Sequence, residues 1–156
     1  MDFFLASIGT AAFLLIAVLL LSGIVGYILS ALGLMRMAQN RGIDNAWLAW
    51  IPVGNLWIMG QLIGPLRFGD KSYDHAEHIL VVGLLLSVVL SRVPVIGALL
   101  RIIMSLLTIY TFFMIFKQYA EDRAVLYTVI SILLPTLVPG ILFFSMRFNE
   151  PNMLTY

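Results

Sequence analysis

Apolar residues run along this chain in long uncharged stretches, and polar residues gather in short clusters between them. The longest stretch, from Phe3 to Met35, contains no charged side chain. About 20 apolar residues are needed to cross a bilayer, so stretches of this length predict helices that span a membrane. The predicted helices cover about 3–35, 76–91, 95–116 and 124–146, and the predicted polar loops cover 36–45, 65–75 and 117–123.

One apolar stretch carries turn signals in its middle. Residues 46–60 read AWLAWIPVGNLWIMG, with all three tryptophans and no charge. Pro52 lacks a backbone donor, and Gly54-Asn55 favours a turn. The pattern therefore predicts a re-entrant or interfacial segment over 46–64, with a fifth transmembrane helix as the alternative.

The distribution of Lys and Arg favours the re-entrant arrangement. Five crossings would divide the basic residues evenly between the two sides. Four crossings put most of them on one side, and cytoplasmic loops favour Lys and Arg. The sequence thus predicts a single all-α integral membrane domain over 1–156, with four transmembrane helices and an extracytoplasmic N-terminus. The basic residues on the shared side are Arg36, Arg41, Arg67, Lys71, Lys117 and Arg123, and those opposite are Arg92 and Arg147.

Composition supports a lipid environment for this chain. Hydrophobic residues make up 62% and charged residues 11%, whereas soluble domains are nearer half apolar and a quarter charged. The net charge of +1 gives no reason to expect nucleic acid, and the lack of cysteine excludes thiol chemistry. The predicted partner is the lipid bilayer, with other membrane subunits or a second copy as further candidates, and no cofactor is expected.

Small residues recur at four-residue spacing in two predicted helices. Small side chains at this spacing let helix backbones approach closely in membranes. They predict a packing seam within the chain or between subunits, although small residues are also common in apolar helices generally. The two sets are Ser22, Gly26 and Ser30, and Gly83, Ser87 and Ser91.

Two polar residues lie inside apolar stretches and are candidate functional residues. Arg101 begins a polar stripe that continues at Ser105 and Thr108, and its charge can pair with Asp2 or Glu150 or extend to the interface. Asn55 needs a hydrogen-bond partner if its turn lies inside the membrane. That partner can be a bound ligand or the turn itself.

The most polar part of the chain, RFGDKSYDHAEH, offers weak metal candidates. Asp74 and His78 share one face of a helix, one turn apart, and a carboxylate with an imidazole can bind a divalent cation. No third ligand is fixed by spacing, so a solvated helix start is the competing interpretation. The sequence contains no catalytic constellation, and an enzyme is not expected.

A faint internal repeat is present. Arg41 precedes Pro52 and Arg123 precedes Pro135, each after a helix and a polar turn. Pro135 and Pro139-Gly140 also interrupt the last predicted helix. Such repeats occur in transporters, although apolar segments often look alike by chance.

The segment WLAWIPVGNLW, preceded by LMRMAQNRGIDNA, resembles a pattern in small multi-pass membrane proteins of Gram-positive bacteria. The final stretch, AVLYTVISILLPTLVPGILFFSMRFNEP, is similar to the C-terminal end of such proteins. The resemblance covers about half of the chain. It implies a multi-pass membrane protein and supplies neither an activity nor residue roles.

These observations lead to one expected function and one alternative. The short loops and small-residue seams predict a non-enzymatic scaffold or accessory subunit of a larger membrane assembly. The alternative is a small oligomeric transporter or channel, with the 52–55 turn and the broken last helix lining the path.

Overall fold

The computed structural model describes residues 2–68 and 71–152. It is 82% helical, which confirms the all-α class. The α-helices are α1 (Asp2–Asn40), α2 (Pro52–Ile63), α3 (Ala76–Val89), α4 (Pro94–Tyr119), α5 (Ala124–Leu133) and α6 (Val138–Met146). Three short 3-10 helices cover Ala46–Trp50, Leu90–Arg92 and Glu121–Arg123, and two strands, β1 (Leu66–Phe68) and β2 (Lys71–Tyr73), complete the chain.

The two long helices, α1 and α4, end at the same side of the molecule. Arg41, just after α1, donates a hydrogen bond of 2.9 Å to the Gln118 side chain near the end of α4. Gly42 ends α1 with a φ of +67°, a left-handed conformation that glycine adopts without steric cost. We refer to this side as the basic end and to the other as the far end.

The segment after α1 forms a helical hairpin that returns to the basic end. Its first arm is the 3-10 helix Ala46–Trp50, and its second arm is α2. At the tip, Tyr27 Oη donates 2.6 Å to the Trp50 carbonyl, and Pro52 begins α2, where its missing donor costs nothing. Arg41 then donates to the carbonyl of Leu62 at the end of α2. This first hairpin therefore extends along α1 for about four turns, roughly 20 Å, and comes back.

The predicted polar loop 65–75 is a short antiparallel β-hairpin, with Leu66 opposite Tyr73. It connects the first hairpin to α3 at the basic end. α3 then runs antiparallel to α4, because Gly83 packs against Met104 and Gly97 against the backbone of Leu90 and Ser91. The turn between these two helices lies at the far end.

The prediction of one helix over 124–146 is wrong. The chain forms α5, a turn at 134–137, and α6, which runs back toward the basic end. Gly26 of α1 meets the backbone of Thr136, and farther along α1 Asn40 donates 2.9 Å to the Arg147 carbonyl. α6 is thus parallel to α1, and α5 with α6 makes a second hairpin.

Within the described residues, two helices are long and apolar enough to cross a membrane, instead of the four predicted. They are Gly9–Asn40 within α1 and α4. The other two predicted crossings are shortened, since α3 has only 14 residues and the last one folds back at its proline-containing turn. Support for a membrane location therefore comes from two helices.

The hydrophobic core lies in the half of the molecule toward the basic end. There both hairpins pack between α1 and α4, burying Leu34, Ile58, Phe116 and Phe143. The rings of Phe116 and Phe143 are 5.5 Å apart. The N-terminal half of α1 leaves this body, and its described side chains are mostly exposed.

The two long helices carry their hairpins in a similar way. The first arm of each hairpin packs on the helix that precedes it, while α2 also contacts α4 and α6 packs on α1. Pro52 and Pro135 lie at or next to the two tips. Each hairpin thus follows a long helix and a polar turn, which is the order of the faint repeat in which Arg41 precedes Pro52 and Arg123 precedes Pro135.

Candidate functional site

An open groove on the side of the body brings together residues from four helices. Its volume is about 450 Å³. It lies along α4, between α3 and α5, and Leu56 from the first hairpin contributes to its lining. The lining residues are Leu56, Leu84, Ser87, Arg101, Met104, Ser105, Thr108, Ile109, Phe112, Ser131 and Ile132.

The predicted polar stripe of α4 faces this groove. Arg101, Ser105 and Thr108 recur at spacings of four and three, which align along one helix face. Ser105 donates 2.8 Å to the Arg101 carbonyl, and Thr108 donates 2.8 Å to the Met104 carbonyl. The hydroxyl hydrogens of both residues are therefore used within α4, and their oxygens remain able to accept.

Ser131 supplies the groove with a hydroxyl group that, unlike those of Ser105 and Thr108, is not hydrogen-bonded within its own helix. Its side chain is only 1% exposed, and its Oγ has no hydrogen-bond partner. It lies near the end of α5, just before the turn of the second hairpin. A buried hydroxyl without a partner is unfavourable, so this group is available to a molecule that enters the groove.

Arg101 is exposed and lies toward the far end of α4. Among the side chains that the structure describes, no carboxylate forms an ion pair with it. The proposed pairing with Glu150 is wrong, because Glu150 shares a cavity with Asn40 and Arg41 at the basic end. The side chain of Asp2 is outside the described part of the chain.

Asn55 serves the first hairpin itself. Its side chain is buried and donates 3.1 Å to the Ala49 carbonyl, which links the two arms near the tip. Next to it, a Cβ on Gly54 would collide with the Leu48 carbonyl. Of the two predicted partners for the Asn55 amide, a bound ligand or its own segment, the geometry thus agrees with the second.

The metal candidates are only partly brought together. Asp74 is exposed and lies before α3, outside the cluster in which ligand atoms converge. His78 belongs to that cluster together with His75 and Glu77, and their ligand atoms lie within 4.8 Å of one another. Each imidazole Nδ1 is 3.3 Å from Glu77 Oε1. Both histidines are largely exposed, and polar contacts of the two imidazoles with Glu77 at the start of α3 account for these distances.

Of the first predicted packing set, Gly26 makes the closest approach. A Cβ at Gly26 would collide with the backbone of Thr136 and Leu137 in the second hairpin. Ser22 donates 2.8 Å to the Leu19 carbonyl of its own helix, and Ser30 is half-buried. The seam occurs within the chain, between α1 and α6.

The second predicted packing set divides between two roles. Gly83 packs against Met104, whereas Ser87 lines the groove and donates 2.7 Å to the Leu84 carbonyl. Ser91 is exposed, donates 2.7 Å to the Val88 carbonyl, and has its backbone beside Gly97. The set follows the α3–α4 contact, with the groove beside it.

Sequence reasoning missed several residues that hold the site in place. Gly33 and Gly140 also make backbone contacts between α1 and α6. Gly33 lies one heptad after Gly26, a spacing that could have identified it. Gln118 was unforeseen: it accepts from Arg41 and donates 3.4 Å to the Ile63 carbonyl, so together they cap the end of α2.

The basic end is tied together by further polar contacts. Asn149 donates 3.2 Å to the Tyr119 carbonyl, and Asn152 donates 2.8 Å to the Glu121 side chain. A hydrogen bond with Tyr127 raises the pKa of the Arg123 guanidinium. The C-terminal segment is therefore held beside the end of α4.

No family model, curated protein or solved structure matches this chain. Chemically, the groove combines apolar walls, a cation near one end and an available hydroxyl, which suits binding of an amphiphilic molecule.

Proposed function

We propose that the chain is a multi-pass membrane protein in which α1 and α4 cross the bilayer, α3 crosses together with the 3-10 helix Leu90–Arg92 that continues it, and both hairpins enter from one side and return. The support is the apolar exterior of the body, including exposed Val89, Ile102 and Leu133. Backbone groups at membrane depth need hydrogen-bond partners within the protein, and Tyr27 of α1 supplies one to the Trp50 carbonyl at the tip of the first hairpin.

The distribution of charge supports one orientation of this arrangement. Among the described residues, only two of the nine Lys and Arg residues, Arg92 and Arg101, lie toward the far end. The second hairpin returns Arg147 to the basic end, so the bias is stronger than in the four-crossing prediction. Because cytoplasmic loops favour Lys and Arg, we assign the basic end to the cytoplasm and the N-terminus to the opposite side.

Within that membrane, the function we propose is a non-enzymatic subunit that docks to a larger membrane assembly through α1. The observation that carries this proposal is the N-terminal half of α1. It carries no charge after Asp2, it extends away from the body, and its residues Phe13, Leu15 and Leu20 are exposed. Half of a long apolar helix is thus free to contact another helix.

Two glycines on this part of α1 offer a surface for close approach. A Cβ on Gly9 or Gly23 would meet nothing within 4 Å in this chain. The two residues are two heptads apart, so they lie within about 40° of the same face. Small residues on one face favour helix association in membranes.

The test is purification of the tagged full chain from its native membranes in mild detergent, followed by native gel electrophoresis. We expect the wild type to migrate with additional polypeptides, and Gly9→Leu or Gly23→Leu to reduce that larger species. A Cβ at either position meets open space, so we expect the amount of the chain itself not to change. Val89→Leu, on an exposed position of α3, is the matched control.

Recovery of the wild type as a lone chain would refute the subunit proposal. So would an unchanged larger species in both glycine variants, because α1 would then be surrounded by lipid alone.

The groove favours a second candidate function, a small transporter or channel. Leu56 lies just after the tip of the first hairpin, and Ser131 lies just before the turn of the second. The tip of the first hairpin and the turn of the second therefore both lie near the polar stripe of α4. Reconstitution into liposomes tests this candidate, with reduced solute flux expected in Arg101→Gln.

A further inference from the structure

The groove has two polar features that ordinary helix packing does not require. Arg101 has no ion-pair partner among the described side chains. Ser131 is almost completely buried, and its hydroxyl lacks a partner. Both line the same groove, Arg101 from α4 and Ser131 from α5.

We propose that this groove binds one anionic phospholipid taken from the surrounding membrane. In this complex the lipid phosphate pairs with the Arg101 guanidinium, and an apolar chain lies against Met104, Ile109 and Phe112. The Ser131 hydroxyl donates to an oxygen of the bound lipid. The inference rests on the proposed placement of the body in lipid, and it adds a ligand class to the transporter candidate.

The charge in the groove selects the headgroup. Arginine presents a planar set of donors that matches the oxygens of a phosphate. An arginine this close to lipid needs a partner, and the far end supplies no carboxylate among the side chains described. A lipid with a net negative charge neutralises Arg101, whereas a zwitterionic lipid brings its own cation.

The walls of the groove select an amphiphile rather than a free anion. Most of the lining is apolar, and the volume of about 450 Å³ is within the range of about 300–1,000 Å³ that is typical of small-molecule sites. The groove is also open along its side, where the exposed residues Ile132 and Leu133 of α5 lie next to it. A lipid can therefore enter from the bilayer without crossing a polar barrier.

The Ser131 hydroxyl predicts that the bound lipid carries a hydrogen-bond acceptor away from its headgroup. The hydroxyls of Ser87, Ser105 and Thr108 already donate to carbonyls of their own helices. The hydroxyl hydrogen of Ser131 is not used in this way. An ester carbonyl in the body of a phospholipid would satisfy it, and a plain hydrocarbon would not.

The experiment uses the purified, delipidated full chain and measures lipid binding by native mass spectrometry and by the shift in Tm. The probes are phosphatidylglycerol and phosphatidylcholine in mixed micelles, and inorganic phosphate alone. We expect one phosphatidylglycerol to bind preferentially and to raise the Tm. Arg101→Gln should weaken its binding about tenfold, since a charge-assisted hydrogen bond contributes on that order.

Arg92→Gln is the matched control, because Arg92 is the other arginine toward the far end and does not line the groove. Ser131→Ala should weaken phosphatidylglycerol binding while leaving the preference for the anionic lipid intact. Ile132→Trp should block the groove without removing either polar group. Each variant is compared with the wild type for its Tm without lipid, which separates misfolding from lost binding.

Three results would overturn the inference. Equal effects of Arg101→Gln and Arg92→Gln would indicate diffuse surface charge. Equal binding of the two lipids would remove the role of the headgroup, and a Tm shift with inorganic phosphate alone would indicate a free-anion site. Failure of the proposed membrane placement is detected separately, by cysteine labelling of the two ends.

Discussion

Gly26 of α1 and Gly140 of α6 meet backbone to backbone. A Cβ on Gly140 would collide with the Gly26 carbonyl, and a Cβ on Gly26 would collide with the backbone just before α6. This contact holds the second hairpin against α1 about halfway along that helix. The position of the hairpin therefore depends on the absence of two side chains.

Substitution at this contact should destabilise the fold. Gly26→Val introduces a side chain where only backbone fits, and overpacking of this kind costs about 1–3 kcal/mol or more. We expect a lower Tm in detergent, measured by tryptophan fluorescence. Gly23→Val is the control, because Gly23 has open space around it; equal losses in the two variants would contradict the contact.

Removal of the Arg41 side chain should loosen the first hairpin. Arg41 donates both to the Leu62 carbonyl and to Gln118, and loss of a charged hydrogen-bond donor from a partly buried site costs about 1–3 kcal/mol. Arg41→Ala should lower the Tm and speed proteolysis near residues 64–75. Arg36→Ala removes only exposed contacts, at 3.4 Å from Gln39 and 5.9 Å from the centre of the Phe148 ring, and should have little effect.

Cysteine labelling distinguishes the two-hairpin arrangement from four crossings. The wild type contains no cysteine, so single substitutions at exposed positions report on each side. We expect Ser72→Cys, Asp122→Cys and Phe148→Cys to be labelled from one side of the membrane, and Ser91→Cys from the other. If positions 122 and 148 were labelled from opposite sides, residues 124–146 would cross the membrane, and the two-hairpin arrangement would be contradicted.

The His75, Glu77 and His78 cluster should behave as a helix-start contact. We expect a chelator to leave the Tm of the purified protein unchanged and Glu77→Gln to lower stability by less than about 1 kcal/mol, because both imidazole partners of the half-buried Glu77 are exposed. A Tm increase with Zn²⁺ that disappears in Glu77→Gln would instead identify a metal site.

The first hairpin could be predicted from local chemistry, whereas the second could not. Pro52 interrupts this uncharged stretch at the tip, whereas Gly54 and Asn55, which were also predicted to form a turn, lie in the first turn of α2. The stretch 124–146 has the length and apolarity of a single crossing, so Pro135 and Pro139-Gly140 looked like kinks. Hydropathy cannot distinguish one crossing from two half-length arms, since both expose apolar residues to lipid.

Some residues of the candidate groove could also be predicted from the sequence, whereas others could not. Arg101, Ser105 and Thr108 could be grouped from helical spacing alone, because they belong to one helix. Ser131 and Leu56 come from other elements, and only tertiary packing brings them to the same groove. Asp74 was assigned to His78 by one-turn spacing, but it precedes α3, so that spacing did not apply.

The two hairpins also affect the cross-section of the molecule in each leaflet. In the proposed placement, both arms of each described hairpin add to the leaflet at the basic end, whereas α1, α3 and α4 continue into the other leaflet. Placed in a bilayer, such a body is a wedge that is broader on its cytoplasmic side. It should fit with least strain where the membrane bends convex toward the cytoplasm, and it should concentrate in vesicles curved in that sense.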